Sequence, residues 1–459
     1  MKDEKVKIHF KKTSINPKKI MFQKIKSIVK YLLPKLLTDN YKRLKAKMID
    51  VALDKKIKKA QSNHEKTLKI VRNNTKIKVA FFLPDRTVWK LEGVYRLMQK
   101  NNRFDPIVVI CPFIAHGKNF MLQLMKEAYD EFQLKGYQVI KAYNESANRW
   151  LDIKKEINPD VIFFLNPGEI TKREYYIFNF PEKLTCYVPY GYMLSNTEQT
   201  QFNKNFHNLT WKNFYETEMH KKMAMQFARN RAVNVVVSGA PMCDKLQDIS
   251  YEPEDPWKHK HRNIKRIIWA PHHTIEENSK KFGYSNFISY CEIFPDLLNR
   301  YQGKIQIAFK PHPLLKPKLY KHKDWGVERT DEYFKRWEDL PNGQLFDGTY
   351  EDLFLTSDAL ILDSISFLAE YIFTGKPCLF MVKDESINKK FNEFGRTIYD
   401  LVYKSHNISD LYFFIEDTVM CDNDKTIIQR KLFKENVLNP PNHKTASQNI
   451  FDFLAEQFK

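Results

Sequence analysis

Short apolar runs separated by longer amphipathic stretches occupy most of the chain beyond residue 77. A first series of such runs covers residues 79–83, 107–111, 161–165, 185–188 and 233–237. A second series covers residues 266–270, 305–310, 359–362 and 377–382. Strands that alternate with helices form parallel sheets through crossover connections. The pattern therefore predicts an α/β protein with two Rossmann-like, doubly wound domains.

The two series also indicate where the domains begin and end. We predict a first domain over residues 77–250 and a second over residues 251–459. The charged and aromatic stretch 251–262 lies between the series and is the candidate linker. In doubly wound sheets, ligands bind beyond the carboxyl ends of the strands. The residues that directly follow each strand are therefore candidates for a site in a cleft between the domains.

The residues before the first sheet have a different pattern. Between residues 20 and 37, apolar side chains recur at helical spacing and basic side chains lie beside them. These basic residues are Lys24, Lys26, Lys30 and Lys35. The spacing predicts a basic amphipathic helix, kinked at Pro34, on an anionic membrane surface; packing of the stripe on the protein's own body is the alternative. With a second helix from about residue 40 to 71, residues 1–76 form a basic, helical, membrane-binding extension.

The charge of the chain is concentrated in this extension. The 459 residues carry a net charge of +20, and residues 1–78 hold 24 Lys and Arg against 6 Asp and Glu. A basic tail on a nearly neutral body is typical of binding to an anionic surface, whereas a nucleic-acid channel places the charge on the folded body. We therefore expect an anionic membrane surface, contacted through residues 1–60, as a partner, and no nucleic acid.

Cysteine usage and hydropathy indicate the compartment. The six cysteines are scattered singly without a CxxC pair, as is usual in a reducing compartment. No run of about 18 uncharged apolar residues occurs, and the N-terminus lacks the apolar centre of a signal peptide. We expect a cytoplasmic protein that is peripheral on the inner face of the cell membrane.

A histidine stands between two prolines after the apolar run that begins at residue 305. The turn reads Lys310-Pro311-His312-Pro313. Proline fixes the backbone, which favours a set direction for the imidazole. Lys310 and His312 are therefore candidates to bind phosphate or to transfer a proton. A histidine that is merely exposed to solvent is the alternative.

A second polar turn follows the run 359–362. Asp363, Ser364 and Ser366 stand before a predicted helix, and Glu370 lies one turn beyond Ser366. If either serine caps the helix, its free N–H groups and positive dipole end face the cleft as a phosphate site. Glu370 is then placed to accept hydrogen bonds from ribose hydroxyls. The alternative is an ordinary cap, with Glu370 as a surface charge.

Two adjacent histidines follow the run 266–270, in the turn Pro271-His272-His273-Thr274. Neighbouring side chains are expected to point in different directions, which makes His272 and His273 a poor metal pair, although one ring could reach a substrate. The chain has no HExxH, EF-hand, Walker or GxGxxG pattern. We therefore expect no metal and no cofactor.

These turns resemble motifs of the CDP-glycerol glycerophosphotransferase family, the teichoic-acid and capsule polymerases with the two-domain GT-B fold. The stretch Ser238-Gly239-Ala240-Pro241-Met242-Cys243-Asp244 is similar to the family's TGYPR-D motif, with Met242 in place of the arginine. The turn at 310–313 resembles R-P-H-P, and Asp363, Ser366 and Glu370 match D-Y-S-S and the acid after it. The family's W-H-G turn, whose histidine resembles a catalytic base, corresponds here to Pro189-Tyr190-Gly191. The resemblance is clearest over residues 235–381.

The resemblance implies a transferase in which an acceptor hydroxyl attacks the β-phosphorus of a CDP-activated polyol phosphate and expels CMP. The acceptor is expected to be a lipid-linked polymer of the teichoic-acid or capsule type, bound by the first domain. The residues expected to contact the nucleotide donor are Gly239, Lys310, Asp363, Ser364, Ser366 and Glu370. The residues expected to act in catalysis are His312, His272 and His273, because the turn at Tyr190 lacks its histidine.

Two other functions remain open from the sequence. A GT-B glycosyltransferase that uses a nucleotide sugar for cell-surface polysaccharide synthesis binds its donor through the same domain. The second function is that of a catalytically inactive, membrane-bound binding module, because Tyr190 stands where the family has its histidine.

Overall fold

The computed structural model describes residues 35–115, 117–260, 263–275 and 283–459. The amphipathic helix predicted at residues 20–37 lies almost entirely outside these ranges. The second predicted helix is confirmed and extends from Lys35 to Arg72. Internal contacts divide the chain into two compact units, residues 1–59 and 60–459, and both sheets belong to the second unit. No helix in the described ranges combines the length and apolar composition that crossing a membrane requires.

The first sheet is entirely parallel. Its strands are β1 (Ile77–Leu83), β2 (Phe104–Ile110), β3 (Val139–Lys141), β6 (Val161–Phe164), β7 (Leu184–Tyr187), β8 (Lys212–Tyr215) and β9 (Val235–Val237). A separate antiparallel hairpin consists of β4 (Tyr143–Asn144) and β5 (Arg149–Trp150). Among the described residues the sheet has the order β3-β2-β1-β6-β7-β8-β9. Helices cover both faces, which explains why the central strands are nearly continuous apolar runs.

The second sheet is also parallel. It comprises β10 (Lys265–Ala270), β11 (Ile305–Phe309), β12 (Gly343–Leu345), β13 (Ala359–Leu362), β14 (Cys378–Met381) and β15 (Tyr403–Ser405). Within the described part of the chain its order is β12-β11-β10-β13-β14-β15. Strand β10 pairs with β11 on one side and with β13 on the other. The turns that follow these three strands therefore meet at one edge of the sheet.

Alpha-helices connect the strands of both domains. In the first domain they are Glu92–Lys100, Lys118–Leu134, Glu198–Phe202, Asn205–Leu209, Glu218–Phe227 and Asp244–Gln247. In the second domain they are Phe287–Tyr290, Ile293–Arg300, Leu315–Leu319, Gly326–Asp339, Glu351–Thr356, Leu368–Ile372, Glu393–Asp400, Ile408–Phe413, Ile427–Phe433 and Ala446–Gln457.

The predicted fold class is confirmed, and each predicted apolar run forms a strand. Four parallel strands were not predicted: β3, β8, β12 and β15. Three of them are edge strands of three residues, and β8 begins with Lys212 and Asn213, so none of the four presents an apolar run. The limits of the three predicted domains stay predictions. The described part of the predicted linker packs on the second domain, where the buried Trp257 donates a hydrogen bond from Nε1 to Thr356 Oγ1 (2.9 Å).

The last helix, Ala446–Gln457, returns to the first domain. Its residues Ile450 and Leu454 are fully buried in the core beneath β1 and β2. At its start, the two carboxyl oxygens of Asp244 accept hydrogen bonds from the backbone N–H groups of Ala446 (2.8 Å) and Ser447 (3.1 Å). Asp244 thereby satisfies two of the N–H groups that a helix leaves without an intrahelical partner. The stretch 238–244 thus holds the returning chain.

Gly239 in the same stretch packs closely against that chain. Its φ of +89° lies in the left-handed region, and a Cβ there would lie 2.6 Å from Pro440 Cβ. Both observations require glycine at this position. Packing therefore accounts for Gly239, and its contact with a nucleotide stays a prediction.

A second connection between the two sheets' domains joins residues 193–196 to residues 389–395. Asn392 donates hydrogen bonds from its side chain to Met193 O (2.6 Å) and from its backbone to Leu194 O (2.9 Å). A Cβ on Gly395 would overlap the Leu194 carbonyl oxygen. Tyr192 stacks on Phe394 with ring centres 5.6 Å apart. The domains are therefore in close backbone contact at this place.

We predict that Asp244→Ala destabilises the protein by about 1–3 kcal/mol, because two backbone N–H groups lose their acceptors. The measurement is the urea midpoint of unfolding. Asp248→Ala is the matched control, since Asp248 is exposed and, among the described residues, its side chain accepts hydrogen bonds only from Ser250, two residues away. Equal losses in the two variants would show that the contact with the last helix contributes nothing.

Candidate active site

Three histidines meet at the carboxyl edge of the second sheet. His272 and His273 follow β10, and His312 follows β11. The ring centres lie 4.2 Å apart for His272 and His273, 4.3 Å for His273 and His312, and 5.2 Å for His272 and His312. The prediction that His272 and His273 point in different directions is wrong. Strand β10 ends at Ala270, so the alternation of a strand does not extend to these residues.

Asp363, at the end of β13, holds this cluster in place. Its side chain is 1% exposed, Oδ1 accepts the backbone N–H of His272 (2.7 Å) and Oδ2 accepts that of Asn286 (2.6 Å). Burial raises the pKa of Asp363 to about 7. Both oxygens are occupied by the protein's own backbone. Asp363 therefore acts on the site through the loop that carries His272, and its direct contact with the donor stays a prediction.

Hydrogen bonding fixes the proton of the His312 ring. The backbone N–H of Leu314 donates to Nδ1 (3.1 Å), so Nδ1 presents a lone pair and the neutral ring carries its proton on Nε2. Burial, with a smaller contribution from His273 and Lys318, lowers the pKa of His312 to about 4. His312 is thus a neutral N–H donor at physiological pH. In this form the Nε2–H group can donate a hydrogen bond to an anionic oxygen.

The same proton position bears on metal binding. A nitrogen of each of the three histidines lies within 4.8 Å of the others, which is the arrangement of a candidate metal site. A metal ligand needs a free lone pair, and the proton on Nε2 of His312 removes it. His272 Nδ1 is also engaged, 2.9 Å from Thr274 Oγ1. The hydrogen bonds therefore favour an anion over a metal ion in this cluster.

Lys310 begins the turn that carries His312, and its side chain is buried. Its Nζ donates to Gly348 O (2.6 Å) and lies 5.0 Å from the ring centre of Phe346. Burial lowers the pKa of Lys310 to about 8. The first domain contributes a second cation, Lys90, whose Nζ lies 5.1 Å from the ring centre of Tyr350. The charge of Lys90 acts on both Lys310 and Glu370, so it belongs to the same electrostatic neighbourhood.

The turn after β13 differs from the prediction. The helix begins only at Leu368, and its cap position is Phe367, at φ 70°, without a side-chain hydrogen bond. The prediction that Ser364 or Ser366 caps this helix is wrong, because the left-handed Phe367 separates the serines from the helix. Ser364 Oγ instead accepts the backbone N–H of Ser366 (3.2 Å). Ser366 is exposed, and donor contacts of both serines stay predictions.

Glu370 is buried rather than a surface charge. It is 8% exposed, and burial raises its pKa to about 7. Glu216, directly after β8 in the first domain, is a second buried acid, and neither of its oxygens meets a hydrogen-bond partner on another described residue. Burial, together with a smaller effect of Glu370, raises the pKa of Glu216 to about 8. Acids from both domains therefore share one electrostatic neighbourhood.

Sequence reasoning missed Glu216, Lys90 and Tyr350. Glu216 follows a strand that shows no apolar run, and no local motif surrounds Lys90 or Tyr350. The turn that lacks the expected histidine places Tyr190 at the surface, about half exposed. An imidazole does lie near this turn, since the ring of His220 is 6.1 Å from that of Tyr192. His220 is fully buried, however, and is closed to a substrate in this arrangement.

Comparisons with known proteins place this chain in a family. The family model for CDP-glycerol:poly(glycerophosphate) glycerophosphotransferase matches residues 189–451, more than half of the chain. The match extends beyond residues 235–381, where the sequence resemblance is clearest. It includes the three histidines, Lys310 and the turn with Tyr190. No curated protein sequence matches the chain significantly.

Solved structures share the fold. A variant of the wall teichoic acid polymerase TagF is 16% identical, with 92% of this chain and 98% of that chain covered and a TM-score of 0.51. A UDP-N-acetylglucosamine 2-epimerase is 14% identical, with coverage of 83% and 96% and a TM-score of 0.51. S. aureus MnaA in complex with UDP is 13% identical, with coverage of 83% and 96% and a TM-score of 0.50. These similarities confirm the two-domain GT-B fold.

We predict that Glu216→Gln reduces the pH dependence of stability. Because the folded protein keeps a proton on Glu216 up to a pKa of about 8, against a usual 4.5, stability should fall as the pH rises from about 4.5 to about 8. Glutamine does not ionise, so the fall should shrink by roughly a few kcal/mol. Urea unfolding at both ends of this range measures it. The exposed Glu218→Gln should leave the fall unchanged, and equal behaviour of the two variants would contradict the prediction.

Proposed function

The chain belongs to the CDP-glycerol:poly(glycerophosphate) glycerophosphotransferase family and is a transferase, and from this premise we propose its reaction. It transfers glycerol phosphate, or a similar polyol phosphate, from a CDP-activated donor to a hydroxyl of a teichoic-acid-like or capsular polymer and releases CMP. The observation that carries the proposal is the cluster of His272, His273 and His312 at the carboxyl edge of the second sheet, within the region that the family model matches.

In the proposed reaction the acceptor oxygen forms a bond to the β-phosphorus of the donor. The bond from this phosphorus to the bridging oxygen breaks, and CMP leaves with the electron pair. Negative charge on the phosphate oxygens needs donors that are already in position. His312 supplies an N–H from Nε2, and Lys310 supplies a cation at the same edge of the sheet. Lys90 adds a second cation from the opposite domain.

The acceptor hydroxyl must also lose its proton. His312 is unsuited to take it, because its Nδ1 lone pair is used by Leu314 and its Nε2 already carries a proton. His272 and His273 remain as proton acceptors. Burial lowers the pKa of His272 to about 3, so its ring is neutral and has one lone pair. The tautomer that Thr274 selects decides which nitrogen of His272 carries that lone pair.

The nucleoside end of the donor is proposed to lie at the turn after β13. Glu370 is buried, and its Oε2 has no hydrogen-bond partner among the described residues. A buried carboxyl oxygen without a partner is costly, and a ribose hydroxyl would satisfy it. Asp363, Ser364, Ser366 and Gly239 stay candidates for further donor contacts.

We predict that His312→Ala lowers transfer at least about a hundredfold, because a positioned donor to the phosphate is lost. The measurement is CMP release from CDP-glycerol in the presence of a polyol-phosphate polymer, with a panel of nucleotide sugars as alternative donors. His322→Ala is the matched control, because His322 also accepts a backbone N–H at Nδ1 but stands outside the cluster. Near-normal turnover of His312→Ala would remove His312 from the mechanism, and preference for a nucleotide sugar would favour a glycosyltransferase.

We predict that one of the single variants His272→Ala and His273→Ala loses transfer while it still binds CDP-glycerol. A proton acceptor contributes about a hundredfold to ten-thousandfold to such a rate and little to donor affinity. Calorimetric titration with CDP-glycerol separates affinity from turnover. Full activity of the double variant would exclude both histidines as the proton acceptor.

The basic segment 1–60 is proposed to attach the enzyme to an anionic membrane surface, where a lipid-linked acceptor lies. Each lysine near such a surface contributes about 1 kcal/mol. We predict co-sedimentation of the full chain with phosphatidylglycerol vesicles, weakened by salt because the attraction is screened. Neutral phosphatidylcholine vesicles and a chain that lacks residues 1–60 are the controls. Equal binding to both vesicles, or binding unchanged by the deletion, would contradict a role of this segment.

A further inference from the structure

A large cavity lies in the first domain, apart from the three histidines. Its volume is about 550 Å³, and every residue that lines it belongs to the first domain. The wall includes the ends of three adjacent strands: Phe82 of β1, Cys111 after β2, and Phe164 of β6. Cavities of this size hold small ligands, and doubly wound sheets bind ligands at this edge.

The chemistry of the wall indicates an uncharged ligand. Only two lining residues carry a charge, Glu169 and Lys204; both are exposed and their signs are opposite. A phosphate would need several converging cations or a bidentate arginine, and the wall offers neither. The cavity therefore lacks the groups that would bind the phosphates of the donor. In this respect it differs from the candidate site in the second domain.

The wall also favours a ligand rich in hydroxyl groups over a lipid chain. Amide side chains line it at four positions: Asn166, Gln199, Asn203 and Asn205. Thr171 also lines the cavity and is 8% exposed; its hydroxyl is buried and has no hydrogen-bond partner among the described residues. The cost of such a buried hydroxyl disappears when a ligand hydroxyl pairs with it. A purely apolar chain would leave it unpaired.

Aromatic rings complete the wall. They come from Phe82, Phe164, Tyr175, Tyr176, Phe178 and Phe206. Phe178 lines the cavity and is 49% exposed, so its ring is accessible to a ligand. Aromatic faces beside amides and a hydroxyl match the C–H faces and hydroxyl edges of a sugar ring or an extended polyol.

From these observations we propose that the cavity binds an uncharged saccharide or polyol unit of the acceptor. The assignment rests on the proposed transfer to a cell-surface polymer. The helix Glu198–Phe202, which carries Gln199, follows directly on Asn196, whose backbone N–H donates to Lys390 O of the second domain (2.8 Å). This wall of the cavity therefore lies close along the chain to a contact between the domains.

Two variants test the cavity without disturbing the core. Phe178→Ala removes a ring that is already half exposed, and Thr171→Val replaces the hydroxyl with a methyl group of similar shape. Binding of ribitol and of chitobiose to the full chain is measured by calorimetry and by saturation-transfer NMR. Glycerol 3-phosphate is the charged comparison, and farnesol is the apolar one. Phe413→Ala, which removes a ring 58% exposed on the second domain, is the control.

We expect ribitol or chitobiose to bind, and both cavity variants to weaken that binding about tenfold while Phe413→Ala does not. Absence of binding by either probe, binding unchanged by both variants, or preference for farnesol or glycerol 3-phosphate would overturn the inference. CDP-glycerol affinity and CMP release are measured on the same samples. Their absence would refute the proposed transfer alone, whereas intact turnover without cavity binding would refute the inference alone.

Discussion

The buried carboxyl of Asp363 is the interaction on which the candidate site depends. It lies at the end of β13 and accepts N–H groups from His272 and Asn286, which stand near the two ends of the connection between β10 and the helix Phe287–Tyr290. Parallel pairing of β10 with β11 and β13 brings the three turns to one edge, but it leaves their loops free to take many shapes. The hydrogen bonds to Asp363 fix the conformation of the loop that carries His272. The His312 backbone then completes the arrangement by donating to Pro271 O (3.1 Å).

The opposition of the two domains is fixed by backbone contacts rather than by exposed charges. Asp244 and Gly239 hold the returning helix, and Asn392 and Gly395 hold the segment around Leu194. Each contact requires a particular small or hydrogen-bonding side chain. This gives a physical reason for the glycine and the aspartate of the stretch 238–244, which its resemblance to a family motif alone does not supply. Gly239 and Asp244 therefore have a structural role that does not depend on contact with a substrate.

The sequence was sufficient for the fold and for the neighbourhood of the site, but not for its geometry. Apolar runs located nine strands, and the rule that ligands bind at strand ends selected His272, His273 and His312, which the structure brings together. Short edge strands were missed because three residues carry too little pattern. The helix after Asp363 was placed too early, since the left-handed conformation of Phe367 is not predictable for a phenylalanine. Glu216 was missed because Glu370, the acid whose charge acts on it, belongs to the other domain, and no local pattern encodes that proximity.

Burial moves six titratable groups of the two domains toward their neutral forms. The pKa values of Glu216, Glu370 and Asp363 are raised, and those of His312, His272 and Lys310 are lowered. A nucleotide donor brings negative charge into this neighbourhood, and a negative charge raises the pKa of acids and bases alike. Lys310, with a pKa of about 8, is already mostly cationic at neutral pH, and a nearby anion would hold it in that form. The same negative charge raises the pKa of a nearby imidazole, so a histidine takes a proton from the acceptor more readily. A bound anion therefore strengthens the positive charge of the basic residues around it, which burial alone weakens.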